Sequence, residues 1–184
     1  GRMDRFTNPC GFLPNDSIDL NNDGRADLVI VGYRIGTDDE PSSGGDCTLE
    51  VSTLPGTALL CDRSSPRDRT PHVLDSADTL RATGRSAEND LQGQRTAFLD
   101  CAVPVWRWGY GNHSPELTPV TDAGIYGYST TTATGTRFGT FRLEPLRDVR
   151  YVRITAGPDV AAGDLLLVHW TDHRISCTKP RLGL

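Results

Sequence analysis

Oxygen-bearing side chains recur at alternate positions in the segment Asp19 to Asp27, which reads DLNNDGRAD. They occupy its first, third, fifth and ninth positions, a spacing with which a short loop wraps oxygen ligands around a hard cation. The sixth position is Gly24, which permits a sharp turn, and the seventh residue of such loops contributes its main-chain carbonyl. The segment is therefore predicted to bind Ca²⁺ through Asp19, Asn21, Asp23, Arg25 and Asp27.

This loop is followed at once by the apolar run Leu28 to Val31. Loop and run together resemble the calcium loops of FG-GAP and VCBS repeats and, more distantly, those of dockerins and thrombospondin repeats. The resemblance implies the same ligands and a loop that leads into a buried strand. An EF-hand would need a bidentate Glu at the twelfth position, which is Ile30 here, so helices around the loop are not expected. The alternative is a simple Asn-Asp-Gly turn between two strands.

The motif occurs once in the chain, and no internal repeat is found. A propeller or an array of FG-GAP repeats would show the motif again at a fixed period. The loop is therefore expected to lie on a different fold.

Aromatic residues alternate at Trp106, Trp108 and Tyr110. On a strand these three rings would share one face. Together with the neighbouring Arg107, Asn112 and His113, they would suit stacking on sugars and hydrogen bonding to hydroxyls. This pattern predicts a carbohydrate-binding surface. The alternative is that the rings belong to the core of a sandwich, where alternating aromatic residues are common.

Motifs of enzymes are missing from the sequence: it has no G-x-S-x-G elbow, no phosphate-binding glycine loop and no cysteine-histidine signature. Glycoside hydrolysis needs two carboxylates about 5 to 10 Å apart, and Glu50, Asp100 and Glu116 are candidates only in principle. A protein without enzymatic activity is expected, with a glycan-active hydrolase as a remaining alternative.

Five cysteines, at positions 10, 47, 61, 101 and 177, show no zinc-binding spacing. A turn centred on Leu54 would set Cys47 opposite Cys61 at the open end of a hairpin with one apolar face. This predicts a disulfide between Cys47 and Cys61 and therefore an oxidising compartment. The alternative is a pair of buried thiols in a reducing cytosol. The other three cysteines leave one thiol unpaired, and the sequence does not choose among them.

The chain has 184 residues, a net charge of -5 and a pI of about 5.3. This length predicts one domain over residues 1–184, with residues 1–15 as an N-terminal arm. Nucleic acid is not expected as a partner because no basic surface is evident, and no apolar run is long enough to span a bilayer. The chain begins at Gly1 without a signal peptide, so an export signal is expected to have been removed.

Short segments rich in β-branched and aromatic residues follow one another between Gly, Pro, Asn and Asp clusters, and almost nothing has a helical period. Strands are predicted at residues 27–34, 97–103, 124–132, 136–143, 149–156 and 163–170, and residues 85–95 are expected to form a loop or one helical turn. The predicted fold is an all-β antiparallel sandwich or jelly roll with little helix.

These observations predict an extracellular, periplasmic or cell-surface module of bacterial type that uses calcium for structure or adhesion. The expected partners are calcium and a glycan or another surface protein. The alternatives are a carbohydrate-binding module that uses the aromatic strand and a glycan-active hydrolase.

Overall fold

Antiparallel β-strands, and no helix, make up the part of the chain that the structure describes. The computed structural model describes residues 16–35, 46–63, 69–75, 78–81, 88–91, 94–111, 114–146 and 151–168. Two large sheets form two layers around a shared apolar core, consistent with a β-sandwich. The prediction of an all-β antiparallel fold is therefore confirmed.

Sheet A has five strands in the order β1-β2-β3-β10-β11. Its central strands are rich in β-branched residues, which favour extended backbone. The strands are β1 (Asp16–Ile18), β2 (Leu28–Ile35), β3 (Asp46–Thr53), β10 (Val103–Gly111) and β11 (Ser114–Pro119).

Sheet B has eight strands, and its main path runs in the order β14-β13-β12-β4-β9-β8, with β5 paired to β4 and β6 paired to β12. Its strands are β4 (Thr57–Arg63), β5 (Arg69–Pro71), β6 (Val73–Leu74), β8 (Glu88–Leu91), β9 (Gln94–Leu99), β12 (Gly124–Thr132), β13 (Gly135–Leu146) and β14 (Tyr151–Ala161). Sheet C pairs β7 (Thr79–Arg81) with β15 (Leu165–Leu167).

The main core lies between sheets A and B. Sheet B also buries its other face, against residues of sheet C, so adjacent residues of β4 enter different clusters: Leu59 faces the main core and Leu60 the second one. The side chains of the main core include Ile18, Leu28, Val51, Val103, Leu59, Tyr128, Phe141 and Leu143. The second cluster includes Leu60, Phe98, Ile125 and Phe138 with Leu80 and Leu166 of sheet C.

The connection from β3 to β4 departs from the predicted hairpin. A tight turn is present, because the Thr57 amide donates to the Leu54 carbonyl (3.0 Å) and Gly56 has a φ of 96°. However, β3 pairs with β2 and β10, whereas β4 pairs with β5, β9 and β12. The turn therefore carries the chain from sheet A to sheet B. Alternating apolar residues show which face of a strand is buried but not which sheet the strand joins, and this is why the prediction was wrong.

The predicted disulfide between Cys47 and Cys61 is wrong for the same reason. The sulfur atoms of Cys61 and Cys101 lie at bonding distance, and a cysteine can form only one disulfide. Both residues are buried in the main core, Cys61 on β4 and Cys101 two residues after β9. β4 and β9 are paired in sheet B, with Cys61 opposite Ala97, so the bridge links β4 to the connection between β9 of sheet B and β10 of sheet A.

Candidate metal site

The segment Asp19–Asp27 connects the first two strands of sheet A. In the β1–β2 ladder Ile18 pairs with Leu28, and the Asp27 amide donates to the Ile18 carbonyl (2.8 Å), so the two ends of the loop are held side by side. Leu20 and Leu28 are buried in the main core. These two apolar side chains anchor the loop while its middle residues remain at the surface.

Three polar side chains close the loop by accepting hydrogen bonds from its own amides. The Gly24 amide donates to Asp19 Oδ2 (2.8 Å), and the Asp23 amide donates both to Asp19 Oδ1 (3.2 Å) and to Asn21 Oδ1 (3.0 Å). The Arg25 amide donates to Asp23 Oδ1 (2.9 Å). The oxygens of Asp19, Asn21 and Asp23 are thereby gathered along one short stretch of backbone.

Two residues of this stretch have left-handed backbone. The φ angle of Asn22 is 58° and that of Gly24 is 87°. Asn is among the few non-glycine residues enriched in this region, and Gly adopts it without a steric penalty. The identity of both residues therefore follows from the tight curvature that brings the oxygens together.

Asp27 is placed differently, because its side chain is buried, with 4% exposure. Its Oδ2 accepts from the Leu20 amide (2.8 Å), and its Oδ1 accepts from the Thr57 hydroxyl (3.1 Å) on the first residue of β4. Burial raises the pKa of Asp27, and the neighbouring charges of Asp19 and Asp23 raise it further, while its two hydrogen bonds act in the opposite direction. The carboxylate thus lies beneath the loop and faces sheet B.

Further contacts attach the loop to the rest of the sandwich. The Asn21 side-chain amide donates to the Thr130 hydroxyl (3.3 Å) on β12, and Thr130 is the cross-strand partner of Thr57. The Asp27 carbonyl accepts from the Leu54 amide (2.8 Å) in the turn between β3 and β4. The loop is therefore bonded to two adjacent strands of sheet B and to the connection between the sheets.

The charges of the loop are consistent with a cation. Within the described ranges, Asp19, Asp23 and Asp27 form no ion pair with a lysine or arginine. Ca²⁺ takes six to eight oxygen ligands, which include carboxylates, amide oxygens and main-chain carbonyls. The residues that fit this role are Asp19, Asn21 and Asp23 through their side chains and Arg25 through its carbonyl.

Carboxylates alone do not form the site. Among the residues that the structure describes, no three acidic, histidine or cysteine side chains come close enough together to hold a metal ion. Asp19 and Asp23 are linked through the Asp23 amide, whereas both oxygens of Asp27 are bonded elsewhere. Any shell built on this loop must therefore include the amide oxygen of Asn21 and main-chain oxygen.

The other predicted site residues are only partly described. Trp106, Trp108 and Tyr110 lie on β10, paired with β11 and partly with β3, but their rings are outside the described part of the chain. The same holds for the side chain of Cys47, on β3, and for the N-terminal arm of residues 1–15.

Two of the acidic residues considered for hydrolysis accept hydrogen bonds from hydroxyl groups. Asp100 accepts from the Thr53 hydroxyl (2.9 Å) and Glu50 from the Ser52 hydroxyl (3.3 Å), while the side chain of Glu116 is outside the described part.

Sequence reasoning missed Thr57 and Thr130, the two residues of sheet B that hold the loop. Thr57 alternates with Leu59 and Cys61, and Thr130 alternates with Tyr126 and Tyr128, all of which face the main core. A threonine at an inward-facing position of a strand was the signal that could have identified them. It indicates that a buried polar group has to be satisfied nearby.

A separate pair of titratable residues lies on sheet B, where His72 Nδ1 is 2.7 Å from Asp62 Oδ1. The His72 amide also donates to the Leu60 carbonyl (2.9 Å). This pair ties the segment after β5 to β4 and lies apart from the Asp19–Asp27 loop in the described contacts.

Comparison with protein-family models, with curated proteins and with solved structures gives no match. Within the described ranges, the structure contains no helix that is long and apolar enough to cross a membrane.

Proposed function

We propose that this chain is a calcium-binding structural module of an exported protein, a β-sandwich whose Asp19–Asp27 loop is held by Ca²⁺. The observation that supports this most is the convergence of the Asp19, Asn21 and Asp23 oxygens on the amides of residues 23 to 25. The left-handed backbone of Asn22 and Gly24 serves the same convergence.

Ca²⁺ would supply positive charge to a loop that carries several carboxylates and no described cationic partner. Asp19, Asn21 and Asp23 would hold it with their side chains, and Arg25 with its carbonyl. A ligand that binds only the folded state stabilises it by about 2.7 kcal/mol at a hundredfold excess over its dissociation constant. We expect this gain to appear as stability of the whole sandwich, because the loop is bonded to both sheets.

A structural role is favoured over an adhesive one by the direction of the loop's contacts. The described side-chain bonds that leave the loop run inward, from Asn21 to Thr130 and from Asp27 to Thr57. A glycan-binding role for Trp106, Trp108 and Tyr110 depends on rings that lie outside the described part, so it does not enter this proposal.

An oxidising compartment is supported by the cysteine pair, and a calcium-rich one follows from the proposed site. Cys61 and Cys101 lie at disulfide-bonding distance, and disulfides persist mainly in exported proteins. Weak calcium sites, with dissociation constants of about 0.1–1 mM, are typical of extracellular modules. We therefore propose that the module works outside the cytoplasm.

The test is isothermal titration calorimetry of the oxidised protein with CaCl₂, after treatment with a chelator. The proposal predicts one calcium per chain and strongly weakened binding in the Asp23→Ala variant. Asp122→Asn serves as a matched control, because Asp122 is an exposed carboxylate just before β12, whose other end contains Thr130. Absence of heat from the wild-type protein at millimolar calcium would overturn the proposal, as would equal binding by Asp23→Ala.

A further inference from the structure

Asp27 occupies the ninth position of the motif, but its contacts differ from those of the other predicted ligands. All four of its polar atoms are bonded: the amide to Ile18, the carbonyl to Leu54, Oδ2 to Leu20 and Oδ1 to Thr57. These partners lie in β1, in the turn between the sheets, in the loop itself and in β4. No other residue of the loop has described bonds to so many separate segments.

On the premise that the proposed calcium site exists, we infer that Asp27 is a positioning residue that lies outside the calcium shell and holds the loop against sheet B. The buried Asp27 carboxylate accepts from the Leu20 amide and the Thr57 hydroxyl, whereas the oxygens of Asp19, Asn21 and Asp23 bond the amides of residues 23 to 25. The lack of a described cluster of three carboxylates agrees with this separation.

The Asn21 side chain forms a second contact between the loop and sheet B. Its Oδ1 accepts from the Asp23 amide inside the loop. Its Nδ2 donates both to Asp23 Oδ2 (3.3 Å) and, outside the loop, to the Thr130 hydroxyl (3.3 Å). Thr57 and Thr130 are cross-strand partners, so the two contacts reach neighbouring points on sheet B. A loop that is ordered by calcium therefore also restrains β4 and β12.

The number of ligands that the chain supplies to the metal depends on the position of Asp27. With Asp27 outside, the chain supplies the oxygens of Asp19, Asn21, Asp23 and the Arg25 carbonyl, and the apolar Ile30 occupies the position of the bidentate Glu of an EF-hand. Ca²⁺ requires six to eight oxygens, so water completes the shell. The number of bound waters is therefore a direct measure of whether Asp27 is a ligand.

The experiment measures the luminescence decay of Tb³⁺, bound in place of Ca²⁺, in H₂O and in D₂O, which yields the number of coordinated waters. We expect Asp27→Asn to keep both the wild-type water number and the wild-type Tb³⁺ affinity within about threefold, because the amide oxygen of Asn can still accept from Leu20 and no ligand carboxylate is lost. The comparison variant Asp23→Asn should weaken Tb³⁺ binding at least tenfold or add about one bound water. A tenfold or greater loss of Tb³⁺ affinity in Asp27→Asn, or a gain of about one water, would show that Asp27 is a ligand and would overturn the inference.

The wild-type protein answers the same question if Asp27→Asn does not fold. On addition of calcium, the side-chain carboxyl ¹³C resonances of Asp19 and Asp23 should shift, while that of Asp27 should shift much less. A shift of Asp27 as large as theirs would contradict the positioning role. Failure of the wild-type protein to bind either Tb³⁺ or Ca²⁺ would instead refute the proposed function, so the two failures are distinguishable.

The hydrogen bond between Thr57 and Asp27 is tested with Thr57→Val, which removes the hydroxyl and keeps the shape of the side chain. In the wild-type protein, calcium should slow amide hydrogen exchange in β1 and in β4. In Thr57→Val the calcium-dependent protection of β4 should fall severalfold while that of β1 and the Tb³⁺ water number stay unchanged. Undiminished protection of β4 in this variant would contradict the inference.

Discussion

The carboxylate of Asp27, at the entrance to β2 in sheet A, accepts a hydrogen bond from the hydroxyl of Thr57, the first residue of β4 in sheet B. The two residues are 30 positions apart in the chain. The Leu54 amide binds the Asp27 carbonyl close by, so the crossing from one sheet to the other is fixed at this point. The candidate calcium loop therefore lies on a junction of the sandwich.

Removal of the Thr57 hydroxyl tests this junction energetically. Thr57→Val leaves a buried carboxylate with one donor fewer, and a hydrogen bond to a charged group is worth about 1.5–3 kcal/mol. We expect the free energy of unfolding in urea to fall by about 2 kcal/mol. Thr136→Val is the control, because its hydroxyl bonds Thr131 at the surface, and it should change stability by less than about 0.5 kcal/mol. Equal effects of the two variants would contradict the account.

Tyr128 presents a buried hydroxyl that has no hydrogen-bond partner among the described residues. Burial raises its pKa above the ordinary value. An unpaired buried hydroxyl costs about 1–3 kcal/mol by protein mutational data, so Tyr128→Phe should match or exceed the wild-type protein in unfolding free energy at pH 7. A clear loss of stability would show that the hydroxyl is bonded.

The same pKa shift sets the sign of an alkaline effect. A tyrosine whose folded-state pKa is raised contributes stability that is fully present below its unfolded pKa of about 10 and is lost as the pH rises toward the folded value. Above about pH 10 the wild-type protein should therefore lose stability faster than Tyr128→Phe, as followed by circular dichroism. Parallel losses would contradict this.

Gly139 is the cross-strand partner of Tyr128, and the ring lies over it. A Cβ at position 139 would lie 2.7 Å from both Cζ and the hydroxyl oxygen of Tyr128, which is too close for any real contact. Gly139→Ala should therefore destabilise the protein by about 1–3 kcal/mol. Gly124→Ala is a milder control, because the nearest atom, 3.2 Å away, belongs to the exposed side chain of Val73. A harmless Gly139→Ala would show that this packing is wrong.

The cysteine pairing makes a prediction that separates the structure from the sequence-based expectation. Proteolysis of the oxidised protein without reduction should yield a linked peptide that contains Cys61 and Cys101, and Cys47→Ser should leave this link intact. The double variant Cys61→Ala/Cys101→Ala should lose about 4 kcal/mol on the chain-entropy model, for a loop with a sequence separation of 40. A linked peptide that contains Cys47 and Cys61 would contradict the structure.

Local patterns predicted β12, β13 and β14 closely, because each of them alternates apolar and polar residues or has β-branched runs. The strand predicted at residues 97–103 is instead divided between the end of β9 and the start of β10. The predicted strand at residues 27–34 corresponds to β2 (Leu28–Ile35), and the one at residues 124–132 to β12. The expectation of a loop or helical turn at residues 85–95 was wrong, because β8 and the start of β9 lie there. β8 and the start of β9 are polar, and their extended form depends on pairing in sheet B.

Long-range pairing could not be predicted from the sequence. The apolar alternation around Leu54 is the same whether two strands form a hairpin or cross between sheets, so neither the pairing of β3 and β4 nor the partner of Cys61 followed from it. The ligand spacing of Asp19, Asn21 and Asp23 is local and was visible. The inward turn of Asp27 depends on Thr57, which joins the site only through the fold.

We expect calcium bound in the Asp19–Asp27 loop to stabilise the whole sandwich. The most direct test of this claim is a thermal melt of the oxidised protein with calcium at a hundredfold excess over the dissociation constant and with chelator. Calcium should raise Tm by about 5–10 °C, and this rise should disappear in Asp23→Ala and persist in Asp122→Asn. An identical Tm with calcium and with chelator would contradict the claim and reduce the loop to a turn between β1 and β2.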